Sequence, residues 1–257
     1  MLEWIGLALG VAGLTPSVVI AVDQMRARLP LRRILQLRSK QGVEILVTTS
    51  GSGVSDVGPP EGPRAKRDLV PSGDLAGVVE ICSMLARVYP RKAFVITPSS
   101  RTQEDRRRDQ ILIGGPVHNR YSARIVCGRM SEATPETPIV FDADNRYVKV
   151  GDRQLGPGLD LKFDDDIPRT EYSIVILTGI RRYGTSQRVV ITGGMTTYGT
   201  HAASHFIAHE LARFVASRRL GSAPNVCILL KAALVNGQPY DIDVLHHIPI
   251  AHLGTWS

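Results

Sequence analysis

Arg188–Phe214, RVVITGGMTTYGTHAASHFIAHELARF, decides how the chain is read. Val189, Val190 and Ile191 are a β-branched run of the kind that fills a buried strand. Gly193 and Gly194 stop it, because paired glycines permit a sharp turn and a close backbone approach. Ala202, Phe206, Leu211 and Phe214 then fall near helical spacing, with Glu210 and Arg213 between them. Thr196, Thr197 or Thr200 is placed to cap that helix. The segment therefore reads strand, glycine turn, helix, and the free N–H groups of such a helix start attract anions.

Two further stretches share the pattern. Gln110–Asn119, QILIGGPVHN, is an apolar run that ends in Gly114-Gly115 and carries Asn119. Val43–Gly53, VEILVTTSGSG, ends in Thr48, Thr49, Ser50, Gly51, Ser52 and Gly53. In open α/β sheets, ligands sit where strand carboxyl ends open into such loops. The expected ligand-binding set is therefore Thr49, Ser50, Gly51, Ser52, Gly114, Gly115, Asn119, Gly193, Gly194, Thr197 and Thr200. Arg181 and Arg182, after another apolar strand, are candidates to supply positive charge.

Around these stretches the chain fills in as alternating elements. Strands are expected at Val43–Thr48, Ala93–Thr97 and Gln110–Ile113. A helix is expected over Asp74–Val88, with Leu75, Val78, Val79, Cys82, Leu85 and Ala86 on its apolar face. A short helix is expected over Tyr121–Met130. Residues 138–163 change to short β-rich runs separated by turns, an antiparallel meander. Tyr172–Leu177 is a strongly apolar strand. Near the C-terminus, Val226–Val235 and Tyr240–Val244 flank Asn236-Gly237, the pair favoured in a type I′ turn, here with a loop expected to be two or three residues longer.

The N-terminus reads differently. Trp4–Val22 carries no charge over 19 residues, just enough for a helix to cross the hydrocarbon core. Arg26, Arg28, Arg32, Arg33, Arg38 and Lys40 follow, against Asp23 alone. By the positive-inside rule the remainder of the chain is cytoplasmic. A cleaved signal peptide would carry its basic residues before the apolar run, where Glu3 stands instead. The remaining alternative is a buried soluble helix. The expected organisation is a transmembrane anchor over 1–22, a basic juxtamembrane connector over 23–40 suited to an anionic membrane surface, and an α/β domain over 41–257.

The formal charge of +7 is concentrated beside that apolar run, which favours a membrane surface over nucleic acid as partner. Cys82, Cys127 and Cys227 are few, distant and set in apolar runs, which excludes a disulfide framework or a cysteine zinc cluster. No Walker A lysine motif and no GxGxxG occur. Gly51-Ser52-Gly53 falls short of GxSxG, and the aspartate runs lack EF-hand spacing. His201, His205 and His209 recur at i, i+4 and i+8, a spacing that can place ligands on one face. HExxH is absent and further ligands are not defined, so structural histidines are the expectation and no metal or other cofactor is assigned.

The arrangement of Gly193, Gly194, Tyr198, Gly199 and Thr200 resembles the glycine-threonine phosphate loop of the Rossmann-like LOG and SLOG nucleotide-handling proteins. Their signature is a compact GGxGTxxE. Here three extra residues separate the halves, and Ala203 stands where the family's catalytic glutamate would be. The resemblance implies nucleotide binding without the family's hydrolysis. A membrane segment joined to such a domain is also similar to some bacterial signalling or defence effectors.

The sequence thus leads to an α/β fold, a three-layer Rossmann-like core with an inserted antiparallel β meander and a C-terminal β-hairpin, preceded by one N-terminal transmembrane helix. The expected role is a membrane-anchored sensor or effector that binds a nucleotide or another phosphorylated small molecule, an arrangement compatible with homo-oligomers. A nucleotide or N-glycosidic-bond hydrolase using Glu80 or Glu171, and a ligand-free interaction scaffold, are the alternatives.

Overall fold

The structure, a computed structural model, describes residues 29–54, 66–99, 107–115, 119, 122, 139–142, 147–150, 153–155, 163–164, 167–168, 170–182, 185–250 and 253–256. Helix α1 covers 29–35. It is followed by β1 (Val43–Val47), β2 (Ser50–Val54), β3 (Lys66–Leu69), α2 (Ser72–Val88), β4 (Phe94–Pro98) and β5 (Asp109–Ile113). The middle of the chain adds β6 (Ile139–Asp142), β7 (Tyr147–Val150), β8 (Arg153–Leu155), β9 (Phe163–Asp164) and β10 (Ile167–Pro168). Then come β11 (Thr170–Arg182), β12 (Thr185–Gly194), α3 (Thr197–His209), α4 (Leu211–Ser217), β13 (Val226–Val235), β14 (Gln238–Pro249) and β15 (Leu253–Trp256).

The fold is mixed α/β. Its main sheet is eight-stranded in the order β14-β13-β11-β12-β5-β1-β4, with β15 also paired to β11. The four strands β12, β5, β1 and β4 are mutually parallel. Strands β11, β13 and β14 extend the sheet antiparallel. Alternation along the strands sorts the core. Val43, Ile45, Val47, Ile111, Ile113, Val175, Leu177 and Val190 point to the cluster that α1 to α4 cover. Leu46, Leu112, Ile174, Ile176, Val189 and Ile191 build a second cluster on the opposite face.

Packing begins before the expected domain start at residue 41. Leu31, Ile34, Leu35 and Leu37 are buried in the main core, so the latter part of the basic connector belongs to the folded unit. The reason is an amphipathic one: the apolar residues turn inward while Arg32, Arg33 and Arg38 stay exposed. Trp4–Val22 lies outside the described residues. Among the described residues no helix is long and apolar enough to cross a membrane.

The inward face of α2 is rotated from the expected one. Gly73, Asp74, Gly77, Val78, Ile81, Met84, Leu85 and Val88 are buried, while Leu75 and Val79 are 53% and 63% exposed. Gly73 and Gly77 bring α2 so close to α3 that the helix presents its smallest residues there. A Cβ on Gly77 would lie 2.8 Å from Ser204 Oγ. The expected continuous final helix is broken at Glu210, whose backbone leaves helical geometry between α3 and α4.

The meander forms as the three-stranded sheet β6-β7-β8, with its third strand at Arg153–Leu155. Of the helix expected over Tyr121–Met130, only Ser122 is among the described residues. The C-terminal hairpin is tighter than expected. Val235 pairs directly with Gln238, so Asn236 and Gly237 alone make the turn. Both have positive φ, 50° and 74°, as a type I′ turn requires.

Candidate functional site

The three polar strand exits converge at one end of the sheet. Val47 lies opposite Ile113, and Ile113 opposite Thr192. Beyond that register the exits are stitched together: Thr48 N–H donates to the Ile113 carbonyl and Gly114 N–H to the Thr192 carbonyl, both at 2.9 Å. The chain passes from β1 outward to β4, then returns across β1 to β5. Connections therefore diverge between the carboxyl ends of β1 and β5, the place where open α/β sheets form a ligand crevice.

Helix α2 begins at this crevice. Among the described residues no side chain caps the start of this helix, where the first-turn N–H groups carry the positive end of the helix dipole. Asp74, in that first turn, is 2% exposed. Its carboxyl is hydrogen-bonded to the Thr200 side chain, and burial outweighs that bond and pushes its pKa up to about 7. Among the described residues Asp74 Oδ1 has no hydrogen-bond partner. Ser204 Oγ, deeper between the helices, donates to Thr200 O at 2.9 Å and contacts Thr192 Oγ1 at 3.2 Å.

The glycines of the exits serve close packing. Gly114 has φ +119°, and a Cβ there would collide with Thr48 Oγ1. A Cβ on Gly193 would lie 2.9 Å from Gly115 Cα, and one on Gly194 would overlap the Gly199–Thr200 backbone. The two halves of the GG–YGT segment thus fold onto each other. Gly194 N–H donates to Thr200 Oγ1 at 3.2 Å, and Thr196, the N-cap, accepts from Tyr198 N–H at 3.2 Å. The acceptor at this helix start comes from the chain itself: Glu171 Oε2 accepts from Thr196 N–H at 3.2 Å.

The other expected residues sort as follows. Thr49 is half-buried beside Thr48, and Thr197 is half-buried in the first turn of α3. Asn119 is fully buried and clasps the β5 exit: its N–H donates to the Gly115 carbonyl at 3.0 Å, and its Oδ1 accepts from Ser122 N–H at 3.2 Å. Ser50, Gly51 and Ser52 are not in a loop but in β2, which pairs with β3. Register places Arg181 and Arg182 opposite Ser186 and Thr185, at the start of β12. That places their backbone at the far end of β12 from Gly194.

Asp74 is not among the expected site residues: an acid at the start of an apolar-periodic helix reads as a favourable helix-dipole residue and gives no hint of burial.

A second cluster lies further along α2 and α3. Glu80 receives two imidazoles, His205 Nδ1 on Oε1 and His209 Nε2 on Oε2, each at 3.0 Å. His201 Nε2 stands 3.9 Å from Glu80 Oε1. Partial burial would raise the Glu80 pKa, but the hydrogen bonds and charge of His205 and His209 outweigh it and hold the carboxyl below its ordinary value. Burial holds His201 below its ordinary value against the opposing effect of a Gly237 backbone hydrogen bond and of Glu80. The histidine repeat of the sequence is thus organised by a single carboxylate from the neighbouring helix.

Comparison with models of protein families, with curated proteins and with solved structures finds no match to this chain. The fold and the two clusters are the grounds on which a function rests.

Proposed function

We propose that the chain is a membrane-anchored, Rossmann-like sensor or effector domain that binds a nucleotide or another phosphorylated small molecule. The convergence of the β1, β5 and β12 exits at the strand-order reversal carries this reading. The phosphate would meet the uncapped start of α2, because Glu171 fills the corresponding position on α3. Asp74 suits that role near neutral pH. With a pKa of about 7 its carboxyl is protonated in part of the molecules, and the protonated form donates a hydrogen bond where a carboxylate would repel the ligand. The likeness of the GG–YGT segment to LOG and SLOG loops favours a nucleotide.

Binding is favoured over hydrolysis by the commitments of the two candidate glutamates, Glu171 to Thr196 and Glu80 to the histidines. The other end of the sheet suits a membrane surface. Arg32, Arg38, Lys40, Arg91 and Lys92 line a pocket of about 690 Å³ with Gly42 and Ala93, which precede β1 and β4. A basic amino-terminal end facing anionic lipid leaves the crevice, about 16 Å away along five-residue strands, facing the cytoplasm. Edge strand β4 leaves Phe94, Val95 and Ile96 exposed, which suits association of copies.

A thermal-shift panel on the full chain tests the reading, with nucleotides, dinucleotides, cyclic nucleotides and sugar phosphates as probes. A ligand that binds only the folded state raises its stability by mass action. The expected result is a shift for one class that is kept in Asp74→Asn, whose amide is a neutral donor like the protonated carboxyl, and reduced in Asp74→Ala. No shift for any class at millimolar concentration would overturn it.

A further inference from the structure

We propose that Glu80, His205 and His209 form a binding site for a divalent transition-metal ion of the zinc type, with His201 beside it. One ligand atom from each of the three residues lies within 4.8 Å of the others. The donor set is two imidazole nitrogens and one carboxylate oxygen, which suits zinc and its borderline-soft neighbours rather than calcium or magnesium. The ring centroids of His205 and His209 are 4.4 Å apart, so the i, i+4 pair presents both rings to one point. Glu80 closes that point from α2.

The distances are close to those a metal needs. Bonds of about 2.0–2.1 Å in a tetrahedral site put neighbouring ligand atoms roughly 3.4 Å apart. The two nitrogen–oxygen separations are 3.0 Å, His205 to Oε1 and His209 to Oε2, and one ligand atom from each residue lies within 4.8 Å of the others, so a side-chain rotation is needed to bring the three donors to one ion. His205 and His209 are 30% and 44% exposed, which leaves room for that rotation. Their exposure also leaves room for water at a remaining coordination position. His201 is held at the rim by its hydrogen bond with the Gly237 backbone, an outer partner of the kind that orients metal-bound histidines.

This site is separate from the strand-exit crevice, and its test does not depend on the phospholigand. The untagged full chain, stripped with chelator, is titrated calorimetrically with Zn²⁺, and with Co²⁺ while the visible absorption is followed. About one equivalent is expected to bind, with a Co²⁺ spectrum showing nitrogen and oxygen ligation. His205→Gln/His209→Gln and Glu80→Gln should each weaken binding by roughly a hundredfold or more, and His246→Gln/His247→Gln should not. Circular dichroism of each variant confirms that it is folded. Glu80→Ala, at a half-buried position, is the substitute should one variant unfold. Absence of saturable binding, or equal affinity in the folded triad variants, would overturn the proposal and leave the cluster as an ion-paired contact between helices. Loss of binding in the His246/His247 variant alone would overturn it too, by placing the ion elsewhere.

Discussion

Glu171 and Thr196 are joined across 25 residues by a hydrogen bond from the Thr196 N–H to Glu171 Oε2, at the point where α3 begins. Glu171 is fully buried, and Gly199 makes room for it, since a Cβ there would lie 2.7 Å from Oε2. A carboxylate at a helix start is stabilised by the unsatisfied N–H groups and the helix dipole. Glu171→Ala should therefore cost about 2–3 kcal/mol, from the lost charge-assisted hydrogen bond and the void. Glu171→Gln, which keeps the shape and one acceptor, should cost less. Urea denaturation of the three proteins measures the series. Equal stability would show that Glu171 is not holding α3, and would return it to candidacy as a reactive carboxylate.

Asp74 sets a pH dependence whose sign can be worked out. The folded protein holds the Asp74 proton up to about pH 7, whereas the ordinary carboxyl value is 3.8. The folded state thus binds more protons than the unfolded chain between these values, and stability falls as pH rises through that window. Above about pH 7 both states are ionised and this contribution is flat. The full loss is on the order of 4 kcal/mol. Asp74→Asn removes the ionisation, so the variant should be more stable than the parent at pH 8 and closely matched to it near pH 4. Denaturation curves at several pH values test this; a gap that does not change with pH would remove Asp74 as the cause.

The sequence revealed the strands better than the site because the two depend on different distances. Val43, Ile45 and Val47 or Val189 to Ile191 report their own burial through hydrophobicity, so β1 and β12 were legible locally. The parallel register that brings Thr48, Gly114 and Gly194 together depends on strand order, which no single segment encodes. The glycines marked the right end of the sheet, although they act there by admitting neighbouring backbone. Glu171 and Asp74 were illegible as buried groups, because their burial comes from α3 packing over them. The histidine repeat showed a shared helix face, and its partner Glu80, 125 residues from His205, became identifiable only once α2 lay against α3. The tight hairpin differs from expectation in its loop length alone: Asn236-Gly237 specifies the turn, and the exposed Gln238 with Pro239 after it hides the start of the strand beside it.

Close approach at Gly194 predicts an intolerance. A Cβ there would overlap backbone atoms of Gly199 and Thr200, which cannot rotate away as a side chain would. Gly194→Ala should cost about 3 kcal/mol or more, at the upper end of overpacking effects, and Gly194→Val should prevent folding. Gly221→Ala offers a comparison, because its φ of +76° strains a side chain but nothing lies within 4 Å. That change should cost about 1 kcal/mol. Thermal unfolding of the two alanine variants checks the ranking. If Gly194→Ala proved the milder, the turn would have to be looser than the packing of α3 on β12 implies.

Asp109 and Arg188 close the opposite end of the sheet, and their removal should be strongly non-additive. Asp109 is 1% exposed; its Oδ1 accepts from the Arg188 N–H at 2.9 Å and its Oδ2 from the Ser39 N–H at 2.7 Å. The Arg188 guanidinium donates to Asn225 Oδ1, Pro224 O and Ile34 O, tying α1 to the sheet. Burial depresses the Arg188 pKa to about 10 against the opposing charge of Asp109. Asp109→Ala leaves that cation buried without its counter-charge, at a cost of about 3–5 kcal/mol. Arg188→Met in the same background removes the stranded charge, so the double variant should be less destabilised than the sum of the singles by more than about 0.5 kcal/mol. Hydrogen exchange at the Ser39 amide should accelerate in every variant lacking Asp109. Additive energies would mean that the guanidinium is held by Asn225 and the carbonyls alone, and that Asp109 acts only through the two amides it accepts.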